Sequence, residues 1–142
     1  MQLRVKRLVA TAVLPHYAQP NDAGLDLYAA VDATIAPGKV ETIPTGIAVE
    51  LPAGTEAQVR PRSGLARNHA VTVLNSPGTI DEGYRGEISV VLINHGQTMF
   101  RVERGMRIAQ LVVQPRVEVE VVETETLGDT IRGADGFGST GS

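Results

Sequence analysis

The chain contains no cysteine and no tryptophan. Without thiols, disulfides, thiolate metal sites and cysteine nucleophiles are excluded, and the redox compartment is left unconstrained. Aromatic residues make up only 4%, so the core must be built from valine, isoleucine, leucine and alanine, a composition that leans towards strands. Long apolar runs are also missing. The opening Met1-Gln2-Leu3-Arg4-Val5-Lys6-Arg7 puts charges where a signal peptide needs its apolar stretch, and no run approaches membrane-spanning length. A cytoplasmic location without a membrane partner is therefore expected. Nor is positive charge in excess: a formal net charge of -3 and a pI near 5.6 argue against a nucleic-acid partner. Any anion that binds must meet local positive charge. His16, His69 and His95 are scattered without ligand spacing, which argues against a histidine metal site.

What is present is one domain's length, 142 residues, of which 42% are hydrophobic and 20% charged, as in an ordinary globular protein. Apolar alternation predicts strands over residues 3–13, 25–29, 33–36, 39–43, 47–51, 55–60, 71–74, 88–94 and 106–113. Val117, Val119 and Val121 then alternate with glutamates. Turn signals such as Pro37-Gly38, Pro52-Ala53-Gly54 and His95-Gly96-Gln97 separate these runs every 8 to 12 residues or so, the rhythm of an all-β sandwich or barrel. A helical period persists nowhere for about ten residues. One short helical turn is expected where Ser63 can cap a segment through Leu65 and Arg67.

Residues 75–88, Asn-Ser-Pro-Gly-Thr-Ile-Asp-Glu-Gly-Tyr-Arg-Gly-Glu-Ile, lie between the apolar run 71–74 and the alternating Ile88, Val90 and Leu92. They predict a β-hairpin with turns at Pro77-Gly78 and Glu82-Gly83. A hairpin tip needs only turn residues, yet this one carries a carboxylate at Asp81 and a ring at Tyr84. Gly78, Gly83 and Gly86 let the main chain turn sharply and lie close to a flat ligand, offering N–H and C=O groups. A plain glycine-rich hairpin with a solvated Asp and a half-buried Tyr satisfies the same pattern equally well.

Arg62-Ser63-Gly64, at the expected helix start, combines a guanidinium, a hydroxyl and free main-chain N–H groups suited to phosphate. Arg107 and Gln110 lie on the strand at 106–113, where an ordinary structural pair is the simpler reading. Asp26 alternates with Leu25 and Leu27 and so stands on the opposite face from them. Residues 128–142 change character: they hold five of the 15 glycines, with Ile131 and Phe137 as their main apolar residues. Most such termini fray. Phe137 between Gly136 and Gly138, followed by Ser139-Thr140-Gly141, is also what a tail closing over a ligand would carry, with Arg132 as a cation arriving with it.

Five segments, in order, resemble the five motifs of the homotrimeric dUTP diphosphatases. They are Ala23-Gly24-Leu25-Asp26-Leu27-Tyr28-Ala29; Pro61-Arg62-Ser63-Gly64-Leu65-Ala66; residues 75–88; Gly105-Met106-Arg107-Ile108-Ala109-Gln110-Leu111; and Arg132-Gly133 with Gly136-Phe137-Gly138-Ser139-Thr140-Gly141. The resemblance implies a jelly-roll domain at 1–127 and a flexible tail at 128–142 that closes over a neighbouring subunit's site in a homotrimer. It implies magnesium-dependent hydrolysis of dUTP to dUMP and pyrophosphate, which keeps uracil out of DNA and supplies dUMP for dTMP synthesis. In that resemblance Asp81 matches the general base and Tyr84 the ring under deoxyribose. Asn75, the main chain at Gly78, Thr79 and Ile80, and the region of Ser89 match the uracil-reading hairpin. Arg62, Ser63 and Gly64 match phosphate contacts, Gln110 a water- and phosphate-positioning residue, and Asp26 an acid holding Mg²⁺ through its water shell. Arg132 matches a γ-phosphate ligand and Phe137 the ring stacked on uracil, with Gly138 and Ser139 beside it.

Ala70, Ser89 and Asp135 depart from the family's usual pattern, and Asp135 adds negative charge to the tail. Two rivals share the fold. A dCTP deaminase would not need the motif at 132–141, and a non-catalytic nucleotide-binding scaffold would have lost Asp81, Arg62 or Phe137, all of which are present.

Overall fold

The structure is a computed structural model describing residues 1–138, 140 and 141. Along the chain run β1 (Arg4–Arg7), β2 (Leu25–Tyr28), β3 (Ala33–Ile35), β4 (Val40–Glu50), β5 (Thr55–Arg60), α1 (Ser63–His69), β6 (Val71–Val73), β7 (Gly78–Ile80), β8 (Glu87–Asn94), β9 (Phe100–Val102) and β10 (Arg107–Pro115). Two four-stranded sheets, β1-β4-β8-β6 and β2-β10-β5-β7, face each other, and β3 pairs with β9 beside them. Every named pairing is antiparallel. The result is a jelly-roll β-sandwich.

Period-two patterning builds it. In β8, Ile88, Val90, Leu92 and Asn94 point inward and are buried while the residues between them are half-buried. The core joins these to Leu27, Ile35, Ile43, Ile47, Val102, Ile108 and Leu111, each 1% exposed or less, so aliphatic packing carries the fold. Asn94, the one polar side chain this deep among the described residues, is fully used: its Nδ2 donates to the carbonyls of Ile35 (2.9 Å) and Thr98 (2.8 Å), and its Oδ1 accepts from Gly96 N–H (2.8 Å). Among the described residues no helix is long and apolar enough to cross a membrane.

Several sequence expectations are corrected. The first strand stops at Arg7, because the chain turns at residues 9–12, Ala12 N–H bonding to Val9 O at 3.2 Å. The two runs at 39–43 and 47–51 form one strand, β4, with a register shift between Pro44 and Ala48. Proline has no N–H to give the ladder, and the irregularity absorbs it. Ser63 is not a cap; Arg62 holds that position in extended conformation, and no side-chain cap bond forms. β10 continues through Pro115, which pairs at the sheet's end with Thr55. Val117, Val119 and Val121 belong to no strand and are 82%, 71% and 92% exposed. Ala70 takes left-handed φ 55°, closing α1 where glycine fits without strain.

Candidate active site

One group of candidate residues gathers where β2, β10 and β5 lie side by side. Gln110 on β10 is paired with Asp26 on one side and Arg60 on the other, and paired residues project to the same face. The Asp26 carboxylate is only 9% exposed as a residue, far more covered than alternation alone suggests. Its Oδ2 lies 3.6 Å from an Arg107 guanidinium nitrogen. That oxygen is buried and accepts no hydrogen bond among the described residues. A buried carboxylate oxygen without a donor is costly unless an ion or ordered water meets it.

Behind Asp26, its N–H donates to His16 O at 2.9 Å. The His16 ring stacks on Tyr28 with centroids 5.4 Å apart, and Nε2 lies 3.0 Å from the tyrosine hydroxyl. Burial first, then the Asp26 charge, pushes the Tyr28 hydroxyl above its ordinary pKa, while Arg107 and Arg62 pull it back. Gln110 is held by a bond from its Nε2 to Pro61 O, 2.9 Å. Gly24 makes room for it: a Cβ there would overlap the glutamine Oε1 and lie 2.9 Å from its Cδ. Arg62 reaches over β10 and donates to Arg107 O at 3.3 Å. Ser63 and Gly64 open α1 beside it and are exposed.

The second group is the hairpin. Its arms pair as β6 and β8, but its tip is more than a turn: residues 78–80 form β7 and cross to the other sheet, Gly78 opposite Val59 and Ile80 opposite Ala57. Gly78 is thus a buried strand residue, not a turn residue. The Asn75 amide packs on it, its nitrogen 3.2 Å from where a Cβ would stand, and the Ser76–Pro77 peptide is cis. Tyr84 N–H donates to Asp81 O at 3.1 Å, and the Tyr84 hydroxyl donates to Glu87 O at 2.9 Å. Thr79, Ile80, Asp81, Tyr84, Glu87, Ile88 and Ser89 line a cavity of about 310 Å³. The tip is tied down by Glu82, which accepts Gly54 N–H at 2.6 Å, and by Arg85, 3.6 Å from Glu50.

These two groups are not joined to each other by a side-chain hydrogen bond or ion pair among the described residues. Among the described residues, no hydrogen bond or ion pair joins the tail to either group. Arg132 donates from Nε to Asp135 O at 2.8 Å, so the departing residue organises the tail's own turn through its main chain. Phe137 is 112% exposed, and Gly138 is exposed beside it. Ser139 lies outside the described residues. Sequence reasoning placed Gly24 and Glu87 within motif segments but gave neither a role, and it did not pair Arg107 with Asp26. Gly24 had a signal in standing two residues before Asp26; the other two depend on contacts between strands far apart in sequence.

Comparison with known proteins identifies the family. The dUTPase family model matches residues 10–141. A deoxyuridine 5′-triphosphate nucleotidohydrolase from Gloeothece citriformis (strain PCC 7424) is 60% identical over 141 residues, covering 99% of this chain and 97% of the relative. One from Clostridioides difficile is 55% identical over 139 residues, with 98% and 97% covered. Among solved structures, the Staphylococcus bacteriophage 80alpha dUTPase with dUPNHPP aligns at a TM-score of 0.93 and 28% identity over 99% of both chains. With a family match over nearly its whole length and relatives this similar, the chain belongs to the dUTPase family.

Proposed function

We propose that this enzyme hydrolyses dUTP to dUMP and pyrophosphate, keeping uracil out of DNA and supplying dUMP for dTMP synthesis. One observation carries the chemistry: Asp81 lines the same hairpin cavity as Tyr84, Thr79 and Ile80. A base is thereby held beside a slot of nucleoside size. In the reaction, Asp81 accepts a proton from the water that attacks the α-phosphorus; the bond from that phosphorus to the bridging oxygen breaks, and pyrophosphate leaves. General-base assistance of this kind contributes about 10²–10⁴-fold. Tyr84 packs under deoxyribose, Asn75 with Gly78, Thr79, Ile80 and the region of Ser89 reads uracil, and Gln110 positions water and phosphate. Arg62, Ser63 and Gly64 bind phosphate oxygens. Arg132 completes the charge balance and Phe137, flanked by Gly138 and Ser139, covers the base; each charged hydrogen bond is worth roughly 1.5–3 kcal/mol.

The residues fit Mg²⁺ held through water. Asp26 offers a buried carboxylate oxygen without a hydrogen-bond donor. No cluster of three or more His, Cys, Asp or Glu that could hold a metal forms among the described residues, as suits an ion bound mainly by phosphates and its own waters. When bound, Mg²⁺ would neutralise triphosphate charge, and Asp26 would hold it through water.

The lack, among the described residues, of a side-chain hydrogen bond or ion pair joining the Asp26–Arg62–Gln110 group to the hairpin, together with the exposed Phe137 and the exposed valines at 117, 119 and 121, supports an assembly of subunits, the homotrimer that the motif resemblance implies. Each site then draws on several subunits, and the tail of residues 128–142 closes over a neighbour's jelly-roll domain of residues 1–127. We place the enzyme in the cytoplasm with no nucleic-acid partner. The test is a panel of dUTP, dCTP, dTTP and UTP with Mg²⁺, following proton release and product identity. Pyrophosphate and dUMP from dUTP alone are expected. Ammonia from dCTP would indicate a deaminase, and silence on all four a binding scaffold.

A further inference from the structure

Glu87 begins β8 next to the place where the β4–β8 ladder slips register between Pro44 and Ala48. There the main chain passes through Gly46 at φ 73°. The N–H of this buried glycine finds its acceptor in the Glu87 carboxylate, Oε2 at 2.9 Å. One residue on, the Thr45 hydroxyl donates to Ile88 O at 2.5 Å. Two side-chain bonds thus stand where regular ladder rungs are interrupted, and they bind residues 87 and 88 to β4. The same Glu87, through its carbonyl, accepts the Tyr84 hydroxyl at 2.9 Å. The Tyr84 ring is pressed close to Gly86, where a Cβ would come 2.5 Å from the hydroxyl and 2.6 Å from Cζ. Glu87 and Tyr84 line one cavity with Asp81.

We infer that Glu87 is a positioning residue for sugar selection: its carboxylate anchors to the β4 irregularity the carbonyl that sets the depth of the Tyr84 ring. This rests on the proposed role of Tyr84 beneath deoxyribose. Ribose differs from deoxyribose there by a single oxygen, so a ring displaced by about an ångström gains room for the 2′-hydroxyl, and misplacements of that size have large kinetic effects. The Glu87 carboxylate is engaged by Gly46 N–H on β4, and its carbonyl by the Tyr84 hydroxyl. Its contribution is to selectivity, through Tyr84.

The experiment measures kcat and KM for dUTP and for UTP, with Mg²⁺, on the full chain and on Glu87→Ala, Glu87→Gln and Gly86→Ala. For Glu87→Ala, the ratio of kcat/KM for dUTP over UTP is expected to fall on the order of tenfold, chiefly because KM for UTP drops. Glu87→Gln keeps an oxygen acceptor for Gly46 N–H and is expected to retain most of the ratio. Gly86→Ala displaces the ring directly and is expected to lower it. Thr45→Val removes the neighbouring bond alone and is expected to lower the melting temperature with the ratio unchanged. If Glu87→Ala does not fold, Glu87→Asp, one methylene shorter, draws the carboxylate back from Gly46 and must show the same fall. A loss in both substrates in parallel, with the ratio held, would reduce Glu87 to a structural residue and overturn the inference. A wild-type chain that uses UTP as well as dUTP would instead overturn the role given to Tyr84.

Discussion

Replacing Gly24 by alanine is expected to lower turnover far more than stability. The added methyl would overlap the Gln110 Oε1 and stand 2.9 Å from its Cδ and 3.0 Å from its Cβ. Gly24 has no positive φ to favour glycine, so the effect is steric and falls on one side chain. The free end of a glutamine can swing away, at the loss of its 2.9 Å bond to Pro61 O, and the 3.0 Å contact with its Cβ is met by a small shift of the strands. Losing one such bond costs about 0.5–1.5 kcal/mol, a melting-temperature drop of a few degrees in a domain this size. Turnover is expected to suffer far more, because a displaced positioning group loses on the order of 10²-fold. The assay is pyrophosphate release from dUTP by Gly24→Ala, Gln110→Ala and the double variant, with melting followed in parallel. If Gly24 acts through Gln110, the double variant should be no slower than Gln110→Ala alone. Two penalties that multiply, or a kcat within twofold of wild type in Gly24→Ala, would refute the link.

Other predictions test other parts of the molecule. Asp81→Asn should lower kcat on the order of 10² or more while dUTP still binds by calorimetry; surviving turnover would remove Asp81 as the base. Deleting residues 128–142 should cripple turnover and leave the assembled state intact in sedimentation, and a fall to monomers would give the tail a structural role. Ala70→Gly should raise the melting temperature slightly. Relief of the left-handed strain, about 1–2 kcal/mol, outweighs the roughly 0.4–1 kcal/mol of added unfolded-chain entropy, and a lower midpoint in calorimetry would contradict this.

Much of this was legible in the chain. The alternation in β8 and β5 gives their inward faces directly, and residues 55–60 emerge with the boundaries the pattern predicts. The hairpin arms pair as expected, yet β7 was hidden, because three residues, Gly-Thr-Ile, are too few to show a period. Its partner, β5, lies some twenty residues upstream. β4 was split by a proline and a glycine that normally end strands; its continuity depends on Glu87 and Thr45 reaching across from and to β8. Alternation put Asp26 on the correct face but could not show that Tyr28, Arg107 and the loop at His16 would cover it. Local pattern reports which way a side chain points. What shelters it there comes from strands remote in sequence.

The valines beyond Pro115 bear on how this protein behaves outside a single folded chain. Val117, Val119, Val121 and Val122 are each more than two-thirds exposed, and Glu118, Glu120, Glu123 and Glu125 are interleaved among them or follow closely. An alternating segment of this kind can template unwanted pairing during synthesis, and interspersed carboxylates act as gatekeepers by making like segments repel. If the valines are covered only when copies associate, dilution uncovers them. The melting midpoint would then rise with protein concentration, and tolerance of mutations in this stretch would depend on how strongly the gene is expressed.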